Sequence, residues 1–115
     1  MGLVKFIFPN DANVYLHGTP AQSLFTRASR DFSHGCVRVE LPVELAEWVL
    51  RNVEGWDQGR ILAAMEDSRS KRVNLATPVR VVLFYTTAIA RLDGTVEFSE
   101  DLYGHDPRLL EAMAR

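Results

Sequence analysis

A chain of 115 residues, 47% apolar and 24% charged, has the size and make-up of one globular domain rather than of a disordered or low-complexity segment. Its 13 basic and 15 acidic residues are spread along the sequence and leave a net charge of −2, which argues against a nucleic-acid partner or an anionic membrane surface. The longest apolar stretch, residues 79–90, contains Arg80 and falls short of the roughly 20 residues that span a bilayer, so no transmembrane segment is expected.

The first residues run directly into strand-like sequence, with no basic region, long apolar run or small-residue cleavage site, so no signal peptide is expected here. Residues 3–8 (LVKFIF) read as a strand that stops at the Pro9-Asn10-Asp11 turn cluster, and residues 13–16 resume a short strand leading into His17. Gly18-Thr19-Pro20 breaks it. Residues 21–28 are expected to form a short helix with Thr19 as cap and Pro20 in its first turn. Residues 27–34 (RASRDFSH) are polar and loop-like, and Gly35 to Val39 reads as the start of a further strand.

Pro42 opens an amphipathic helix over residues 42–53, with Leu45, Trp48, Val49 and Val53 on one face and Gly55 ending it. A second helix over residues 58–67 has Asp57 as its cap, Trp56 and Ile61 placed as a hydrophobic staple, and Ile61, Leu62 and Met65 on its apolar side. Residues 71–76 and 79–87 are strand candidates, the second so rich in β-branched and apolar residues that burial on both faces is expected. Asp93-Gly94 signals a two-residue hairpin loop between residues 89–92 and 95–98, and residues 107–115 suit a short terminal helix. No repeat or flexible linker interrupts the chain. The pattern is α+β, mainly β, with two central helices; element order alone leaves barrel, sandwich and open sheet undecided.

Cys36 is the sole cysteine, which excludes an intrachain disulfide and a two-cysteine metal clip. His17, Ser33, His34, Gly35, Cys36 and Arg38 lie within about twenty residues of one another and supply the ingredients of nucleophilic acyl transfer. A free thiol is only a few per cent thiolate at neutral pH, so a nearby imidazole that accepts its proton raises the reactive fraction. His17 can be that base if the loop between it and Cys36 folds back. Gly35 removes a side chain that would crowd an incoming carbonyl, and the N–H groups around Gly35 and Cys36 can face a developing oxyanion. Arg38 shares the face of Cys36 if the latter starts a strand, and its guanidinium could grip a substrate carboxylate in a two-pronged manner. Each residue has a plainer reading: a small buried hydrophobe for Cys36, surface or loop histidines for His17 and His34, a surface ion pair for Arg38. Their coincidence favours the chemical one. His17, His34, Cys36 and His105 with Asp106 are metal-ligand types, but their spacing matches no common structural zinc pattern, so neither metal nor other cofactor is expected.

His17-Gly18, followed after an interval by Ser33-His34-Gly35-Cys36-Val37-Arg38, resembles the catalytic signature of the L,D-transpeptidases. The segments YLHGTP, LFTRASRDFSHGCVRVELPVELAEWVL and DGTVEFSEDLYGHD resemble the larger, periplasmic branch of that family, so that nearly all of residues 1–115 is covered. The resemblance implies a mixed-sheet or sandwich-like catalytic domain, here a partial one lacking N-terminal strands of the family fold. It implies Cys36 as nucleophile, His17 as base and later acid, Gly18 orienting His17 through its carbonyl, and Ser33, His34 and Gly35 lining the oxyanion region, to which the residue reading above adds Arg38 binding substrate. The partner implied is a peptidoglycan stem tetrapeptide, acylated on Cys36 with loss of D-alanine and passed to an acceptor amine as a 3→3 cross-link. Many members have Asn where Arg38 stands, although the larger branch commonly has Arg. A parent protein in the periplasm or cell wall, and self-association through an unpaired sheet edge, are further expectations. The competing functions are an L,D-carboxypeptidase, in which water resolves the same thioester, and a wall-binding domain without catalysis, which would have no need of both His17 and Cys36.

Overall fold

The computed structural model describes residues 2–33 and 35–115 and divides into two units, Met1–Val81 and Val82–Arg115. The first unit is built on a small three-stranded sheet in the order β1 (Lys5–Phe6), β2 (Leu16–His17), β3 (Val37–Arg38). β1 and β2 run antiparallel, pairing Lys5 with His17 and Phe6 with Leu16. β2 and β3 run parallel, pairing Leu16 with Val37 and His17 with Arg38. All three strands are shorter than their sequence suggests. Asn10 shows what closes the first connection: its amide donates to the carbonyls of Phe8 and Val14 and its carbonyl accepts the Val14 N–H, so one side chain ties both ends of the turn.

The register sorts the side chains. Neighbours paired across a sheet share a face, and alternation along each strand sends the next pair to the other face. Phe6, Leu16 and Val37 therefore lie on one face, and Phe6 packs against the core cluster of Ala46, Leu50 and Ile61. Lys5, His17 and Arg38 lie on the opposite face.

The core is made by α1 (Pro42–Leu50) and α2 (Gln58–Glu66). Ala46 and Leu50 on α1 and Ile61 on α2 are buried, and Val49, Val53, Trp56, Met65, Val73 and Leu75 pack around them. Burying a side chain the size of Ile61 contributes about 1.5–3 kcal/mol. α1 has its apolar face rotated from the expected one: Trp48 is 49% exposed and lies beneath the Arg51 guanidinium, 4.3 Å from the ring centre, while small Ala46 goes inward. Ala46 permits close approach of the helices, and a tryptophan can cover surface while stacking with a cation. α2 starts as expected, the Asp57 carboxylate accepting the Arg60 N–H at 2.8 Å, but Leu62 is exposed. In place of the helix expected over residues 21–28 there is a 3-10 helix, Gln22–Thr26. Thr19 Oγ1 accepts the Ala21 N–H, a local turn that competes with a regular α-helical start.

Residues 71–76 and 79–87 form no strand, which corrects the sequence reading. Val73 and Leu75 keep the expected alternation, half-buried on the core, without a ladder. Val82 and Phe84 are 69% and 80% exposed instead of buried on both faces. β-propensity describes a side chain's fit to a pleated, covered surface, and no strand lies alongside this segment among the described residues.

The second unit holds the hairpin β4 (Ala88–Ala90) and β5 (Val96–Phe98) and the helix α3 (Asp106–Met113). The hairpin loop has three residues rather than two. Arg91 N–H donates to the Thr95 carbonyl, Gly94 N–H donates to the Arg91 carbonyl, and Gly94 takes φ +86°, the left-handed residue that closes a three-residue loop. Arg91 and Glu97 clasp the hairpin through two hydrogen bonds of 2.9 and 2.6 Å. No helix among the described residues is long and apolar enough to cross a membrane. The mixture of short helices and strands is an α+β fold.

Candidate active site

β2 and β3 assemble the site because their parallel ladder brings the two halves of the motif together. Val37 N–H donates to the Tyr15 carbonyl at 3.1 Å and Val39 N–H to the His17 carbonyl at 2.9 Å. Continuing the alternation one residue back from Val37 sets Cys36 beside Tyr15, on the face that carries His17 and Arg38. Two contacts independently place Tyr15 there. Its ring lies 5.8 Å from the His17 ring, and Lys5 Nζ sits 4.1 Å from its centre. Cys36 thus stands immediately before β3, one position from the strand that pairs with His17.

The His17 imidazole is half-buried, and its Nδ1 lies 2.6 Å from the Gly18 carbonyl oxygen. A carbonyl oxygen only accepts, so Nδ1 carries a proton, and Nε2 is the nitrogen left to accept one in the neutral ring. Gly18 is itself held firmly: its N–H donates to the Val4 carbonyl at 3.0 Å, and a Cβ on it would meet the Pro42 ring at 3.2 Å. The residue that begins α1 therefore also packs against the group that orients His17.

Cys36 is a half-buried free thiol. Ser33 closes the turn before it, donating from Oγ to the Cys36 carbonyl at 2.6 Å and accepting the Gly35 N–H at 3.4 Å. The Gly35 N–H thus faces the Ser33 hydroxyl in this structure. Gly35 takes φ +136°, a region that side chains rarely permit, so the glycine answers a backbone demand as well as leaving room. His34 lies outside the described residues. Arg38 is half-buried and donates from Nη2 to the Phe32 carbonyl at 3.1 Å, holding the preceding loop.

The strand alternation thus puts His17, Arg38 and, one residue before β3, Cys36 on one side, with the Gly18 carbonyl on His17 and Ser33 and Gly35 in the turn before Cys36. Sequence reading missed Tyr15 and Lys5. Stepping back two residues from His17 along an alternating strand would have found Tyr15, whereas Lys5 depends on a pairing register that no local pattern reveals. His105 and Asp106 belong to a separate network in the second unit. There the Asp101 carboxylate accepts the His105 and Asp106 N–H groups and the Tyr85 hydroxyl, and Thr87 donates to Asp106. A cavity of about 260 Å³ between Tyr85 and the start of α3 adjoins that network and is lined by neither Cys36 nor His17.

Comparison with known proteins agrees with the motif. Residues 1–81 match the YkuD family, described as the L,D-transpeptidase catalytic domain. A Haemophilus influenzae protein named provisionally as an L,D-transpeptidase is 33% identical over 109 residues, which is 95% of this chain. The chain spans 22% of that protein's length. The family match takes in the whole sheet, both core helices and every residue of the site face, and the chain accordingly belongs to the L,D-transpeptidase catalytic-domain family.

Proposed function

We propose that Cys36 is the nucleophile of an acyl transfer on peptidoglycan stem peptides, with His17 as its base. The observation that supports this reading is the register of β2 and β3, which pairs His17 with Arg38 two residues beyond Cys36, together with the Gly18 carbonyl that engages Nδ1 of His17. Nε2 of His17 takes the thiol proton as sulfur attacks the carbonyl of the donor's third residue. The C–S bond forms, the C–N bond to the terminal D-alanine breaks, and the proton on Nε2 passes to the leaving amine. The side-chain amine of an acceptor stem then attacks the thioester, gives up a proton to His17, and releases the thiol with a 3→3 cross-link in place. Gly18 holds the imbalance of charge that develops on the imidazolium, as a carboxylate does in a Ser-His-Asp triad. Arg38 binds a donor carboxylate, and His34 with the backbone N–H of Cys36 serves the oxyanion. No cofactor enters.

This reading places the full-length protein in the periplasm or at the cell wall. It also makes the thiol a target of carbapenems, whose strained carbonyl imitates the scissile amide. Incubating the full-length protein with a carbapenem should add the drug's mass at Cys36. Cys36→Ala should abolish the adduct, and His17→Ala should slow it by on the order of 10²-fold or more. An adduct that persists in Cys36→Ala would overturn the assignment. With a stem tetrapeptide as substrate, dimer as product marks transfer and free tripeptide marks hydrolysis.

The apolar segment around Val82 and Phe84 supports a second part of the proposal, that the 115-residue chain associates with itself through this surface.

A further inference from the structure

The loop from the 3-10 helix to Cys36 carries positive charge of which the chemistry above uses only Arg38. Arg27 ends the 3-10 helix, its N–H donating to the Leu24 carbonyl at 3.3 Å, and its guanidinium carbon lies 5.3 Å from the centre of the Phe32 ring. Arg38 reaches the same residue from β3, through the Phe32 carbonyl at 3.1 Å. Arg30 folds back along the loop, donating from Nε to the Arg27 carbonyl at 2.7 Å. Three guanidiniums thus stand in residues 27–38 against one carboxylate, in a chain whose net charge is −2. That carboxylate, Asp31, accepts from the Ser29 hydroxyl at 2.7 Å, and among the described residues the ion pairs involve none of the three arginines.

Guanidiniums on one exposed loop, paired with no carboxylate among the described residues, keep their donors available to a visiting anion. Each guanidinium offers five N–H donors in a planar fork, and Arg38 spends one Nη2 contact on Phe32. Phe32 is 42% exposed and meets Arg27 through its ring and Arg38 through its carbonyl, adding an apolar flank. A fork beside an aromatic ring suits a carboxylate borne on an aliphatic chain, and Ser33 ties the end of this loop to the Cys36 carbonyl.

We propose that Arg27, together with Phe32 and Arg38, forms an anion subsite beside the nucleophile that selects acyl donors carrying a free carboxylate, with Arg27 as the specificity-determining residue. This rests on the acyl-transfer reading of Cys36. The carboxylate is held between guanidiniums anchored on one residue, so the donor's carbonyl is presented to the sulfur in a repeatable pose.

The test uses the full-length protein and two synthetic donors with the same scissile amide, one with its carboxylate free and one with it converted to the primary amide. The ratio of kcat/KM values for the two donors is the readout, with thioester formation followed by intact mass. Arg27→Gln should reduce that ratio about 10- to 100-fold, the loss expected for one charge-assisted hydrogen-bonded contact, and chiefly through KM. Arg27→Lys, which keeps charge but loses the fork, should restore part of the preference and make it more sensitive to salt. A ratio unchanged in Arg27→Gln, including one in which both donors slow equally, overturns the assignment, because a merely structural role would act on both donors alike. Turnover that survives in Cys36→Ala would overturn the acyl-transfer reading and this proposal with it. Turnover that needs Cys36 but ignores Arg27 overturns this proposal alone.

Discussion

At φ +136° Gly35 occupies backbone space that other residues enter only with strain of about 1–3 kcal/mol, and it does so directly before Cys36. Gly35→Ala should therefore lower stability by roughly that amount, read by denaturant unfolding. Relaxation of the turn would also shift the sulfur, and a displacement of about 1 Å at a reacting atom can cost on the order of 10²-fold in rate. Carbapenem acylation of the variant measures the second effect; wild-type stability together with wild-type acylation would show that the turn does not depend on glycine. The reason for this residue was only half legible in the sequence, where the glycine reads as room for a substrate carbonyl. Cys36, His17 and Gly18 could be singled out as candidates because two short stretches of sequence carry the motif. Arg27 was not, because its meeting with Phe32 depends on how the loop folds back.

Among elements, α3 shows a cap that helix-start rules overlook. His105 occupies the cap position without a side-chain bond, and the carboxylate of Asp101, four residues earlier, accepts the N–H groups of His105 and Asp106 at 3.0 and 2.8 Å. The Tyr85 hydroxyl donates to the same carboxylate at 2.6 Å. That bond first, and the backbone donors after it, hold the Asp101 carboxyl below the ordinary carboxylate range. Desolvation first, then Asp101, keeps the Tyr85 phenol above the ordinary tyrosine range, so it remains a donor. A carboxyl whose folded value is depressed adds stability above its unfolded value and loses it as pH falls through the folded one. The cap of α3 is therefore expected to hold at neutral pH and to be released in acid. The amide resonances of His105 and Asp106 should titrate together, with a midpoint below the usual aspartate value near 4. A midpoint at or above it would remove Asp101 as the cap, and Asp101→Asn should weaken the acid transition. Local signals such as Asp57 before α2 and Asp93-Gly94 in the hairpin were readable because cap and turn chemistry act within a few residues. The inward face of α1 was not, since Ala46 and Trp48 exchange roles according to what packs opposite.

Across the chain, the buried apolar residues among those described are only Ala46, Leu50 and Ile61, while Val82, Leu83 and Phe84 stand 69%, 52% and 80% exposed in succession. Composition foretold a core but not its extent, because sequence shows which residues favour burial and not whether a neighbouring strand exists to cover them. Three consecutive large, exposed apolar residues that belong to no strand among the described residues make a surface suited to pairing with a like segment. The 115-residue chain should accordingly associate as its concentration rises. Sedimentation velocity over a hundredfold range in concentration should show the average mass increasing above that of one chain. Replacing Val82 and Phe84 by lysine places like charges opposite one another in any such pairing and removes apolar area, so the double variant should stay monomeric at concentrations where the parent chain does not. Thermal unfolding of the variant checks that its fold is intact, an outcome favoured because both side chains are already exposed. A constant monomer mass for the parent chain throughout the range, or association undiminished by the two lysines, would place the self-associating surface elsewhere or remove it altogether.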